Sequence, residues 1–385
     1  MNGLFPIHKF QNVKTPFYYY DTRMLRHTLA CLNKEAGKYD NYCVHYAVKA
    51  NANAKLLAII REAGLGVDCV SGGEIQAAIQ AGFPADKIVY AGVGKADWEI
   101  NLGLECGIFC FNVESVAELE VINELAAAKN KIANVAFRIN PNVGAHTHAH
   151  IVTGLAENKF GISMDDMDGV IDTAKGMEHV KFTGLHFHIG SQITDMGDFV
   201  ALCRRINELQ ERLSARQIAV EHINVGGGLG IDYQQPDRFP VPDFKEFFAV
   251  YDTHLRLRTG QTLHFELGRS VVGQCGSLIG RVLYVKEGMD KKFVILDAGM
   301  TDLIRPALYQ AYHKIENITS DDAAEVYDVV GPICESSDVF GNAVELNKIK
   351  RGDFVAIRSA GAYGEIMASG YNCRELPKGY VSEDL

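Results

Sequence analysis

A (β/α)8 barrel joined to an all-β domain is the fold this sequence predicts, and three observations carry that expectation. Eight β-like runs alternate with helix-like runs between Tyr42 and Glu266. After Gly268 the texture changes to short β-like runs with no long helix between most of them. The chain has 385 residues, enough for one large unit and a smaller one.

In chain order, Tyr42–Val48 is β-rich and Asn53–Ala63 helical. Gly66–Val70 reads as a strand and Glu74–Ala81 as a helix, then Lys87–Ala91 and a helix near Ala96–Leu104. Ile108–Asn112 precedes the Ala- and Glu-rich helix Val116–Ala127. Asn134–Ile139 leads through a long polar loop to a helix near Asp165–Lys175. His179–His188 precedes the amphipathic Gly197–Leu213, Ala219–Val225 precedes Asp243–Arg258, and Gln261–Glu266 is the last strand, its helix undefined. Strand–helix alternation implies a parallel sheet, and eight repeats suit a closed barrel. An open doubly wound sheet is the competing arrangement. Val282–Val285, Phe293–Leu296, Val326–Val330 and Phe354–Ile357 supply the β-domain. Phe17–Tyr20 is β-like yet precedes the barrel, so the barrel is set at residues 22–267 and the β-domain at 1–21 plus 268–385.

Apolar residues make up 47% and charged residues 22%, too apolar for a disordered chain. A net charge of −10 opposes a phosphate backbone, so nucleic acid is not an expected partner. Nine cysteines, an odd number without CxxC spacing, read as reduced, buried thiols of a cytoplasmic protein. Met1–Phe10 lacks a signal-peptide core, and no apolar run reaches the roughly 18 residues of a membrane span.

Barrel enzymes build their sites at the C-terminal ends of the strands. Lys49 follows the first strand, Ser71 the second, His186-Phe-His-Ile-Gly-Ser-Gln192 the sixth, Gly226-Gly-Gly-Leu-Gly230 the seventh and Glu266-Leu-Gly-Arg269 the eighth. Lys49 ends an apolar strand with no obvious local carboxylate. A desolvated lysine has a lowered pKa and can form a Schiff base; the bland alternative is a surface lysine. Gly226, Gly227 and Gly228 let backbone N–H groups approach an anion, where barrels often bind phosphate, against a plain tight turn. Glu266, in an apolar context, could face a pyridine nitrogen and keep it protonated, or form an ion pair with Arg269. His186 and His188 share one side of their strand by alternation. His188 could stack on a flat ring, and His-x-His also tempts a metal reading that lacks a third ligand. His146, His148 and His150 could bind zinc but read better as an exposed loop. Cys334-Glu-Ser-Ser-Asp338 offers an acid and a carboxylate, or an ordinary turn. Arg305-Pro-Ala-Leu-Tyr309 offers a guanidinium for a carboxylate, or a surface arginine.

Together these motifs resemble the fold-type III pyridoxal-phosphate (PLP) enzymes, whose fold is that of alanine racemase. Among them the chain is most similar to the diaminopimelate decarboxylase family, from Tyr18 to about Tyr371. Tyr46-Ala-Val-Lys-Ala-Asn51 and His188-Ile-Gly-Ser-Gln192 are shared with relatives, whereas the Arg305–Tyr309 and Cys334–Asp338 motifs are the specific ones. The resemblance implies that Lys49 holds PLP as a Schiff base, that His188 stacks on the ring and that Glu266 pairs with its nitrogen. It implies that Gly226 to Gly228, Ser191 and Tyr363 hold the phosphate, with Gly268 and Arg269 also beside the cofactor. Arg269, Arg305 and Tyr309, with Tyr363, are implied to hold a substrate carboxylate. Cys334 is implied as proton donor and Glu335 as reader of the distal amino-acid end, both reaching the partner subunit's active site in a head-to-tail homodimer. The implied reaction is decarboxylation of meso-diaminopimelate to L-lysine and CO2, the last step of lysine biosynthesis.

Leu267 stands where the family usually has Pro, without altering Glu266 or Arg269. The chain is short for the family, which raises carboxynorspermidine decarboxylase as a rival. Ornithine or arginine decarboxylation is disfavoured by Arg305 and the Cys-Glu-Ser-Ser-Asp segment. Racemisation is disfavoured by an acid at the ring nitrogen, and a non-catalytic PLP carrier by the β-domain. A metal-dependent barrel hydrolase is the rival from a different class.

Overall fold

The computed structural model describes residues 5–144 and 159–385. They form two compact units. One comprises Leu29–Gly230 and Asp243–Gly268; the other takes the chain up to Thr28, Ile231–Pro242 and Arg269–Leu385.

The first unit is a closed parallel barrel. Its strands are Tyr42–Ala47, Gly66–Cys69, Ile88–Tyr90, Cys110–Val113, Ala133–Asn140, Val180–His186, His222–Asn224 and Thr262–Leu267. Each pairs in parallel with its neighbours, and the last closes on the first with Glu266 opposite His45. The runs are rich in β-branched and aromatic residues, and four of the eight are buried along their whole length, as a sheet covered on both faces requires. The helices start on residues that can cap. Asn53, Ser71, Ser115, Asp195 and Asp243 each accept a backbone N–H with the side-chain oxygen.

Two elements depart from expectation. The last barrel strand is followed only by the one-turn helix Arg269–Val272. A 15-residue helix, Thr22–Ala36, precedes the first strand instead. Its polar composition hides it, but Leu25, Leu29, Leu32 and Ala36 are all buried and fall at the i, i+4, i+7, i+11 spacing of one helix face.

The barrel interior is polar in its deeper layer. Thr262 Oγ1 donates to His264 Nε2 (2.9 Å), His264 Nδ1 to His45 Nε2 (2.8 Å), and His45 Nδ1 to the Lys87 carbonyl (3.2 Å). His222 packs its ring at 5.1 Å from that of His264. A Cβ on Gly184 would lie 2.4 Å from the His222 ring, so only glycine leaves room. Burial lowers the pKa of all three histidines, that of His222 from 6.5 to about 4. A lowered folded-state pKa gives stability that is full above the unfolded value of 6.5 and lost as pH falls toward 4. For His222 this is on the order of 3 kcal/mol. The Tm measured by circular dichroism is expected to fall between about pH 7 and 5, and less steeply in His222→Gln. Equal slopes would contradict this assignment.

The second unit is mostly sheet. Its strand order is Ile315–Asn317, Phe354–Ile357, Gly276–Glu287, Lys292–Leu296, Ala324–Val330 and Val339–Asn347. Phe17–Tyr20 pairs antiparallel with Gly276–Glu287 and parallel with Lys378–Val381, so its sheet draws on both ends of the chain. Val339–Asn347 and Lys378–Val381 are mostly half-buried or exposed and lack an apolar run, which is why the sequence did not announce them.

Candidate active site

Lys49 lies on the turn Val48–Ala50 just after the first barrel strand. Contrary to the sequence reading, it has a carboxylate at hand, supplied by the neighbouring strand: Lys49 Nζ lies 2.6 Å from Asp68 Oδ2. Asp68 is fully buried, and burial together with the charge of Glu266 raises its pKa against the pull of Lys49. Glu74, which accepts the Val70 N–H, is pushed to about 7, mainly by burial. Ser71 proves to be a helix cap, its Oγ accepting the Glu74 N–H at 3.2 Å.

Glu266 is buried, but its setting is polar rather than apolar. Oε1 accepts from Asn224 Nδ2 (2.7 Å) and Asn112 Nδ2 (3.2 Å), and Oε2 lies 3.1 Å from His186 Nε2. Burial alone would raise its pKa. The His186 charge and hydrogen bond, with Lys49 close by, outweigh that and hold the carboxyl well below the usual range. Glu266 is therefore a fixed anion. Asp68 Oδ1, Asn112 Oδ1 and His186 Nδ1 are buried without a hydrogen-bond partner, so the strand ends keep unused polar capacity.

His188 faces the same group of charges. The Gly227 N–H donates to His188 Nδ1 (3.3 Å), which puts the ring proton on Nε2. Burial, then the charges of Arg138 and Lys49, lower its pKa to about 3, so the ring is a flat neutral imidazole near pH 7. Gly226 has φ +69°, and a Cβ on Gly227 would lie 2.0 Å from the Glu266 carbonyl oxygen. No side chain fits there, because the turn packs against the last barrel strand, and the Gly226 N–H donates to Asn224 Oδ1 at 2.9 Å. Ile193 bridges to Leu229 and donates to the Gly228 carbonyl at 2.8 Å, so the loop carrying Ser191 runs beside the glycine loop. A Cβ on Gly268 would lie 3.0 Å from that of Ala50, which ties the end of the eighth strand to the Lys49 turn.

A second cluster lies within the sheet unit. Arg269 and Arg305 each donate an Nη1–H to the Tyr233 hydroxyl, at 2.6 and 3.0 Å. Arg305 Nη1 also lies 2.8 Å from His313 Nε2, while His313 Nδ1 donates to the Arg358 carbonyl at 2.8 Å. Arg305 is buried, so the surface-arginine reading is wrong. Tyr233 is half-buried, and the two guanidiniums outweigh that burial and bring its pKa below the ordinary phenol value. The Arg269 guanidinium sits 5.0 Å from the Tyr363 ring centroid, and Tyr309 ends the short helix that Arg305 begins. Two converging guanidiniums suit a carboxylate. Cys334 and Glu335 are exposed on a loop of the same unit, where Tyr371 Oη donates to Glu335 Oε1 at 2.6 Å.

Among the described residues no group of three or more His, Cys, Asp and Glu is placed to hold a metal ion, and no helix is long and apolar enough to cross a membrane. His146, His148 and His150 lie outside the described residues. Sequence reasoning missed Asp68, Asn112, Asn224, Tyr233 and His313. Asp68 and Asn112 did leave a signal, each a polar residue inside an otherwise apolar strand run, whereas Asn224 shares its short strand with His222.

The family described as pyridoxal-dependent decarboxylase, pyridoxal binding domain, matches residues 25–273. A diaminopimelate decarboxylase of Bacteroides thetaiotaomicron is 76% identical over 385 residues, covering all of both chains. The crystal structure of diaminopimelate decarboxylase from Helicobacter pylori complexed with L-lysine superposes with a TM-score of 0.92 at 38% identity, over 98% of this chain and 94% of that one. A lysine/ornithine decarboxylase of Vibrio vulnificus shares the fold at 22% identity, with a TM-score of 0.84 over 98% of this chain and 97% of that one. The barrel residues fit a pyridoxal group: an amine beside a carboxylate, a flat neutral ring, a fixed buried anion and buried polar atoms without a hydrogen-bond partner. On the extent of these matches and that fit, the chain belongs to the pyridoxal-dependent decarboxylases, on the branch of the diaminopimelate decarboxylases.

Proposed function

We propose that this protein uses PLP to decarboxylate meso-diaminopimelate to L-lysine and CO2. The observation that carries the reading is the barrel-end constellation of Lys49, Glu266 and His188 beside the Gly226–Gly228 loop, in a chain 76% identical over its full length to a diaminopimelate decarboxylase.

When bound, PLP supplies an electron sink for the pair released as the substrate's carboxylate leaves as CO2. Lys49 would hold the cofactor covalently through its Nζ amine. Asp68 keeps the Lys49 amine near its working position. Glu266 holds the ring nitrogen's proton, and its three donors keep it ionised for that purpose. His188 covers the ring face as an uncharged plane. Gly226, Gly227 and Gly228 would leave room for the phosphate by having no side chains, Ser191 and Tyr363 would supply hydroxyl donors to it, and Gly268 lets the Lys49 turn approach. Arg269, Arg305 and Tyr309 orient a substrate carboxylate, with Tyr233 as the shared pivot of the two guanidiniums. Cys334 Sγ delivers the proton to the carbon that lost its carboxylate, and Glu335 pairs with the distal ammonium.

The reading includes a head-to-tail homodimer in which Cys334 and Glu335 serve the partner subunit's active site; their exposure supports it. It also places the enzyme in the cytoplasm, supported by nine cysteines none of which is in a disulfide, and gives it no nucleic-acid partner, supported by the net charge of −10.

The distal charges distinguish this substrate from ornithine, which has no second carboxylate. Glu335→Gln is expected to raise KM for meso-diaminopimelate by about 10- to 100-fold, the loss of one charge-assisted hydrogen bond, with kcat and PLP binding little changed. Steady-state kinetics and cofactor titration check it. An unchanged KM would remove Glu335 from the substrate.

A further inference from the structure

Seven of the nine cysteines are buried or half-buried, and two, Cys334 and Cys373, are exposed. Both belong to the sheet unit. Their segments touch at two points: the Cys334 N–H donates to Asn372 Oδ1 at 3.3 Å, and Tyr371 Oη donates to Glu335 Oε1 at 2.6 Å. Each segment is also pinned on its own. Asp338 accepts the Met300 N–H (2.6 Å) and the Ile333 N–H (2.7 Å), while its carbonyl accepts the Gly331 N–H (3.0 Å), which fixes the loop around Cys334. On the other side, Arg374 Nη2 donates to the Asp297 carbonyl at 2.5 Å, and Asn372 and Cys373 hold left-handed φ values of 54° and 56°. Two accessible thiols thus sit on adjacent, pinned turns. A mixed disulfide on one would meet the other at high effective concentration.

We propose that Cys334 and Cys373 form a reversible intrachain disulfide that inactivates the enzyme. The inactivation rests on the reading of Cys334 as proton donor; the disulfide itself does not. The oxidant is a low-molecular-weight disulfide. One cysteine thiolate attacks it, its S–S bond breaks, and one external thiol leaves with a proton. The second cysteine thiolate then attacks the protein-bound sulfur and expels the second external thiol. Two protein thiols are oxidised and one external disulfide is reduced to two thiols. Cys334 Sγ then carries no proton to deliver.

The test treats the PLP-loaded enzyme with oxidised glutathione, maps peptides by mass spectrometry without reduction, and measures activity before and after dithiothreitol. The expected result is a Cys334–Cys373 cross-linked peptide in wild type. Activity should fall about a hundredfold or more, the contribution of a positioned proton donor, and return on reduction. Cys373→Ser should keep its basal activity and form no intrachain cross-link. Only glutathione adducts, or cross-links between chains, in the wild type would overturn the proposal. A cross-link with activity intact would instead overturn the role of Cys334, leaving the disulfide standing but without the regulatory effect proposed for it.

Discussion

Lys49→Ala is expected to lower CO2 release from meso-diaminopimelate on the order of 10⁴-fold or more, because it removes the covalent anchor and a proton-handling amine together. The variant should still fold, since the Lys49 side chain is 35% accessible and contributes little to the packing of the buried Val48 and Ala50 beside it. Its loss does leave Asp68 without its cation. Burial already raises the Asp68 pKa, and without Lys49 that carboxyl should take up a proton near neutrality rather than unfold the barrel. Reductive trapping with borohydride should leave cofactor mass on the Lys49 peptide of wild type and on no peptide of the variant. A variant retaining a tenth of wild-type turnover would be incompatible with Lys49 as anchor.

The second large effect is expected at Glu266. Glutamine keeps the size but loses the charge, and its amide would point a donor at Asn112 and Asn224 or at His186, which already donate to this position. We expect kcat to fall about 10²- to 10³-fold, the usual cost of removing one preorganised electrostatic partner, with KM nearly unchanged. The bound-cofactor spectrum should also shift in pH dependence, since the ring nitrogen would no longer face an anion. His186→Gln, which retains an N–H donor toward Glu266, should stay far closer to wild type than His186→Leu. If Glu266→Gln kept its kcat within about threefold, Glu266 would be a structural carboxylate and nothing more.

The sequence made the motifs at the strand ends legible because a barrel turns chain order into spatial order. Lys49, His188, Gly226–Gly228 and Glu266 stand at successive strand ends, so counting strands brings them together. The partners that tune them were not legible in the same way. Asp68 meets Lys49 and Asn112 meets Glu266 only because parallel pairing puts inward positions of different strands at one level. Tyr233 is harder still: it lies in an irregular segment with no periodicity, and its meaning comes from Arg269 and Arg305, which stand far along the chain. The helix Thr22–Ala36 was hidden because threonine, histidine and charged residues fill the positions between its buried leucines. The strand Val339–Asn347 was hidden because only Phe340 and Leu346 of its nine residues are buried and Gly341 and Asn342 interrupt it, so neither alternation nor an apolar run marks it.

The most direct measurement is CO2 release from the purified protein supplied with PLP and, side by side, meso-diaminopimelate, ornithine, arginine and carboxynorspermidine. The expected result is release from meso-diaminopimelate alone, with lysine formed in equal amount. Release from one of the other three would keep Lys49 and Glu266 in their roles but contradict those of Arg305 and Glu335. No release from any of them, with no cofactor retained on Lys49, would contradict the assignment of the barrel site itself.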